Sequence, residues 1–206
     1  MKKRIVPKIT LILLLFTLLL AWSAVLPGRA DSLIKSKEFT TRTFYADGDD
    51  DEVEFTENFG FAGDSYLNSG RFRMDITLTP VYNSIWISSD GERANLAAEP
   101  TIVNLINGRL NAWINTSTVG EFQPDYGSDG MIRSFRYSRS DLLSDDLTYA
   151  NFTVTLPDEY AIESLFYQYG EDLEIDDVQY SVKFKIKVSI YGNAPGIKLK
   201  KKVLYG

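Results

Sequence analysis

Residues 178–190 read VQYSVKFKIKVSI. Val178, Tyr180, Val182, Phe184, Ile186, Val188 and Ile190 are apolar, while Gln179, Ser181, Lys183, Lys185, Lys187 and Ser189 fill the positions between. A period of two places successive side chains on opposite faces of a strand, so one face of this segment belongs to a core and the other to water. That one-sided pattern belongs to an antiparallel sheet, since parallel strands are covered on both faces and read as continuous apolar runs.

The same alternation recurs outward from this strand. Phe72, Met74, Ile76 and Leu78 alternate with Arg71, Arg73, Asp75, Thr77 and Thr79, and Pro80 is expected to end the run. Phe152, Val154 and Leu156 alternate with Asn151, Thr153 and Thr155 ahead of Pro157. Weaker strand signals cover residues 38–45, 52–61, 84–88, 131–138 and 196–204. Asn107-Gly108 between the runs 101–106 and 109–115 predicts a two-residue hairpin, with Leu105 opposite Leu110, Val103 opposite Ala112 and Ile102 opposite Trp113. Only Asp158–Tyr169 has helical spacing, through Ile162, Leu165, Phe166 and Tyr169, with Asp158 as its cap. About nine or ten strands and at most one short helix define an all-β chain, a two-layer antiparallel β-sandwich in preference to a small barrel.

The N-terminus has the three parts of an export signal. Lys2, Lys3 and Arg4 are followed by an apolar run from Ile9 to Leu26, and Gly28-Arg29-Ala30 supplies small residues for cleavage after Ala30. The run also approaches the ~18 uncharged residues of a membrane-spanning helix, so an uncleaved anchor is the competing reading. Residues 1–30 are therefore expected to be a signal peptide and residues 31–206 a single domain, secreted or held at the cell surface. No cysteine is available for a lipid anchor.

Cysteine and histidine are both absent. The usual zinc, copper, haem and iron-sulfur ligands are missing, as are Ser-His-Asp and Cys-His nucleophile systems. An exported chain without disulfides depends on packing, a bound ion or a partner. A cysteine-free, lysine-rich export reads as bacterial, so no glycan is expected at the acceptor patterns of Asn115 and Asn151.

Charge is segregated along the chain. Five of the 22 basic residues lie in the leader, leaving 17 basic against 28 acidic side chains, a formal −11. Residues 178–206 hold seven lysines and no acid. The acidic body excludes nucleic acid as a partner. The lysines read either as a cationic stripe for an acidic surface polymer or lipid headgroup, or as protection of an edge strand, with Glu52, Glu54 and Glu57 across from them.

Calcium is the one cofactor the sequence leaves open. The runs around Asp47, Asp49 and Asp51 and around Asp125 and Asp129 place carboxylates close together, as hard-cation loops do. Neither fits an EF-hand: Asn58 stands where the first run needs a glutamate, and Arg136 stands where the second needs a carboxylate. Both also read as solvated turns. A third acidic stretch, Glu171, Asp172, Glu174, Asp176 and Asp177, precedes the opening strand.

Among the aromatic residues, Trp113, Tyr126 and Tyr137 are the candidates for a sugar-stacking platform, with Tyr82 and Tyr149 nearby in character and Trp86 assigned to the core. Glu121 and Glu163 are the acids in the least polar contexts, but no catalytic set emerges, and a carboxylate-based glycan-acting enzyme ranks last. The expected function is binding or assembly by an exported structural or adhesive protein, whose partner is a surface polymer, a glycan, a protein or a second copy; a carbohydrate-binding module is the alternative. Contact with a membrane is expected only through an uncleaved leader.

Overall fold

A computed structural model describes residues 32–47, 52–59, 72–116, 119–142, 149–168 and 173–192. The leader, Asp49, Asp51 and the expected strand 196–204 lie outside the described residues. No helix among the described residues is long and apolar enough to cross a membrane.

The strands are β1 (Ser32–Thr40), β2 (Phe44–Asp47), β3 (Glu52–Asn58), β4 (Phe72–Ser89), β5 (Glu92–Asn95), β6 (Asn111–Asn115), β7 (Val119–Glu121), β8 (Gln123–Tyr126), β9 (Ile132–Leu142), β10 (Tyr149–Thr155) and β11 (Asp177–Gly192). Two short helices, α1 (Pro100–Asn107) and α2 (Glu159–Gln168), complete the described residues. All strand pairings are antiparallel and form two sheets. The larger runs β1-β11-β4-β9-β8, with β2 also on β11 and β5 also on β4; the smaller runs β3-β10-β6-β7.

Strand β11 behaves as its alternation requires: all seven even positions from Val178 to Ile190 are buried. Its partner β4 supplies Met74, Ile76, Leu78, Ile85 and Ile87 to the same core. From the smaller sheet come Val53, Ala112, Ile114, Phe152 and Val154. Rings join the two sheets: Phe55 of β3 stacks on Phe184 of β11 at 5.5 Å between centroids and on Phe152 of β10 at 5.0 Å. Offset stacking adds about 0.5–1.5 kcal/mol per pair to the area term.

Pro80 does not end its strand. β4 passes through it, with Pro80 opposite Phe184, because the pairing of β4 with β9 reaches only to Leu78 and β5 joins at Trp86. On that flank no ladder needs the missing N–H. The run 72–79 and the run 84–88 are thus one strand. A bulge separates them: Ser181 pairs with Ser84 and Val182 with Tyr82, leaving Asn83 extra. One extra residue reverses the facing. Even positions point inward before the bulge (Met74, Ile76, Leu78) and odd ones after it (Ile85, Ile87), which turns Trp86 outward instead of into the core.

Residues 38–45 likewise divide into β1 and β2, both on β11. At the break, Thr41 replaces the ladder: its N–H donates to the Phe184 carbonyl at 3.0 Å and its Oγ1 accepts from the Phe184 N–H at 3.0 Å.

The Asn107-Gly108 hairpin does not form. Residues 100–107 are helical, with Pro100 in the first turn and Gly108 at the C-terminal cap. Ile106 is fully buried and Ile102, Val103 and Leu105 pack on the core at helical spacing. The expected helix over 158–169 is present as α2, capped by Asp158, whose Oδ1 accepts from the Ala161 N–H at 2.7 Å.

Candidate functional site

The candidate site comprises the outward faces of the two sheets. On the smaller sheet, registers align Glu54 of β3, Thr153 of β10, Trp113 of β6 and Glu121 of β7 in one row. Glu52, Thr155 and Asn111 form the next row, and Thr56, Asn151, Asn115 and Val119 the one on the other side. Thr56 donates to Asn151 at 2.6 Å across the face. Trp113 is half-buried, since Ala112 and Ile114 on either side of it point inward. The charged side chains that these four strands turn outward are Glu52, Glu54 and Glu121, all exposed. None of the three has a hydrogen bond or ion pair among the described residues, so this face is anionic around one indole.

On the larger sheet, Glu38, Lys187, Thr77, Arg136 and Gln123 form a row, and Thr40, Lys185 and Thr79 the next. Ser36 and Ser189 hydrogen-bond at 3.1 Å, and Ser138 donates to Asp75 at 2.6 Å. Arg73 bridges Asp75 at 3.2 Å, and Arg136 lies 3.7 Å from Asp125. That leaves the three lysines of β11, without a hydrogen bond or ion pair among the described residues, with Glu38 beside Lys187 and with Asp47 and Asp177 at one end of the sheet. The centre of this face is cationic.

Two expectations about the lysines need correction. β11 lies between β1 and β4, so Lys183, Lys185 and Lys187 do not guard an edge. Nor do Glu52, Glu54 and Glu57 sit across from them, because β3 pairs with β10 in the other sheet, opposite Thr155, Thr153 and Ala150. The two sets of charge are on different sheets.

The aromatic candidates do not converge. Tyr137 points into the core against Phe122, with ring centroids 5.8 Å apart, and offers no platform. Tyr126 is exposed on β8 and lines a cavity of about 210 Å³ with Asn104, Arg109, Leu165 and Gln168. The outward side of the smaller sheet carries Trp113 on β6 and, opposite Asn58 on β10, the exposed Tyr149. Trp86, facing out from the larger sheet, carries the Arg93 guanidinium over its ring at 4.8 Å, and Arg93 in turn donates to Gln179 at 2.5 Å. That stack needed the bulge at Asn83, which alternation alone does not reveal.

The acidic candidates divide as well. Asp47 is exposed at the end of β2 opposite Gln179, two residues past Asp177, so these two acids, one from each stretch, lie at the same end of the larger sheet. Asp125 accepts from Ser134 Oγ at 3.3 Å in addition to its approach to Arg136. Asp129 is bridged to Arg133. Its carboxyl is held below the usual range, first by the Met131 N–H at 3.2 Å and then by Arg133. No group of three or more Asp or Glu among the described residues is placed to hold a metal ion. Glu121 and Glu163 lie on different elements, β7 and α2.

No family model, curated protein or solved structure matches this chain.

Proposed function

We propose that the two sheets form a β-sandwich that is exported to the cell surface or medium and acts by binding or assembly through its outer faces, not by catalysis. The observation that supports this reading is the separation of charge sign: glutamates on the outward side of one sheet and lysines on that of the other, neither set paired among the described residues. Within the chain these charges do nothing for stability, since exposed ionic groups contribute at most about 1 kcal/mol even when paired. Their use is toward a partner, where complementary fields steer encounter and fix orientation.

Salt dependence tests this. At low ionic strength the exported protein is expected to run as associated species in size exclusion and to shift to monomer near 1 M salt, where screening acts within about 3 Å. A monomer at both ionic strengths counts against assembly.

A second reading rests on Trp113, a half-exposed indole set among Thr153, Asn111 and Glu121. Sugar rings pack their CH faces on such a ring while hydroxyls and carboxylates take their hydrogen bonds. A glycan array probed with the native protein and with Trp113→Ala tests it: binding lost in the variant supports a carbohydrate module, and binding indifferent to the change removes it.

A further inference from the structure

Within the assembly reading, we infer that the partner is a second copy of this chain, docked with the anionic face of its smaller sheet on the cationic face of the larger sheet. The inference rests on that reading and adds the interface, its polarity and its stoichiometry.

Spacing is the first argument. Lys183, Lys185 and Lys187 alternate along β11, and Glu52 and Glu54 alternate along β3. Both series repeat every two residues, about 6.8 Å along a strand. Copies laid with these strands aligned can therefore satisfy successive charges at a common pitch. Glu121 lies at the far end of the row through Glu54 and Trp113, so the anionic groups flank the indole on both sides.

Trp113 supplies the second argument. The cationic face offers what its ring takes: lysine ammonium groups over the π-face, and the methyl groups of Thr77 and Thr79 with the aliphatic stems of the lysines around it. Interfaces concentrate their energy in a central aromatic side chain surrounded by polar groups that exclude water. The row Glu54-Thr153-Trp113-Glu121 has that layout.

Symmetry sets the outcome. The two faces differ, so the contact is heterologous: each copy offers one face upward and the other downward. Such a contact does not close on itself in pairs, and repetition produces a stack or filament. Four strands across the smaller sheet present a footprint of roughly 20 Å by 20 Å, about 400 Å² per partner. Interfaces of that size are transient singly, so the stack is expected to grow with protein concentration and to dissolve in salt.

The test uses two triple variants of the exported protein. One carries Lys183→Thr, Lys185→Thr and Lys187→Thr; the other carries Glu52→Thr, Glu54→Thr and Glu121→Thr. Threonine suits exposed strand positions, and circular dichroism confirms that each variant keeps the native spectrum. In sedimentation velocity at low salt, the native protein should show a mass rising with concentration beyond twice the monomer. Each variant alone should remain monomeric, and their equimolar mixture should stop at twice the monomer mass, because only one matching pair of faces survives. Native protein that remains monomeric overturns the assembly reading and this inference together. Native assembly that persists in either variant keeps the reading and overturns this interface. A mixture that gives only monomer, or species beyond the dimer, also overturns it.

Discussion

The phenol of Tyr82 donates a hydrogen bond to Oδ1 of Asn107 at 2.9 Å, which fastens the middle of β4 to the last residue of α1. Asn107 passes the link on, donating from its amide to the Ile132 carbonyl at 3.3 Å, and Asn104 one turn earlier accepts from the Ile132 N–H at 2.8 Å. Residues three apart share a helix face, so these two asparagines hold both backbone groups of one β9 residue. The helix is thereby tied to the start of β9 by polar contacts as well as by Ile106.

Burial pushes the Tyr82 hydroxyl above its ordinary value of 10.0. The folded state therefore keeps a proton that the unfolded chain releases. Its contribution is intact below pH 10.0 and is lost as pH rises beyond that, with a slope near 1.4 kcal/mol per pH unit. Tyr82→Phe should be less stable than the native protein at pH 7 by about 1 kcal/mol, from the lost bond to Asn107. The difference between the two should narrow above pH 10.0. Urea midpoints measured at pH 7, 9 and 11 check this; a constant difference would contradict it.

Thr41 stands in for a ladder residue between β1 and β2, and its hydroxyl accepts from the buried Phe184 N–H. Thr41→Val keeps the shape and removes the acceptor, so about 1–3 kcal/mol of stability should be lost, the cost of an unsatisfied buried donor. Hydrogen exchange should show the Phe184 amide losing protection more than its neighbours Val182 and Ile186.

How much of this was legible in the residues depended on whether alternation was interrupted. β11 runs sixteen residues with no inserted residue of its own, and its inward set can be read off directly. β4 hides a bulge at Asn83, so its two halves have opposite parity, and a reader who carries the parity of the first half through the bulge assigns Trp86 to the wrong face. Residues 101–106 carry β-branched side chains that suit a strand, and Asn107-Gly108 resembles a hairpin turn. The helical alternative was present too, in Pro100 at one end, Gly108 at the other, and Asn104 and Asn107 spaced to share a face.

The candidate site was legible only as ingredients. Lysines on one run and glutamates on another are visible in the chain, yet whether they neutralise each other across a ladder depends on strand order, which pairs β3 with β10 and places β11 in the other sheet. Tyr137 and Trp113 both lie on strands, and nothing local distinguishes the ring under Gly120 from the half-buried ring on the outer face.

The cap of α2 offers a simpler check. Asp158 Oδ1 satisfies the Ala161 N–H, one of the helix's otherwise unpaired first donors. Asp158→Ala should cost about 1 kcal/mol, and Asp158→Asn much less, since the amide oxygen can still accept. Thermal midpoints of the pair separate capping from net charge: equal losses in both variants would point to charge instead.

Gly120 on β7 is the position where a single methyl group should do most damage. A Cβ built there would stand far inside van der Waals contact of Cε2 of Tyr137, and the ring packs on Phe122 on its way into the core, with centroids 5.8 Å apart. Gly120→Ala must therefore push β7 away from β6 or force Tyr137 off its rotamer, at a cost of about 1–3 kcal/mol. The second change Tyr137→Leu shortens the side chain and should relieve the clash, so the double variant is expected to be more stable than the sum of the two single losses predicts. Denaturant midpoints of the four proteins in that cycle measure the coupling, and strict additivity would show that the glycine is not there to admit the ring.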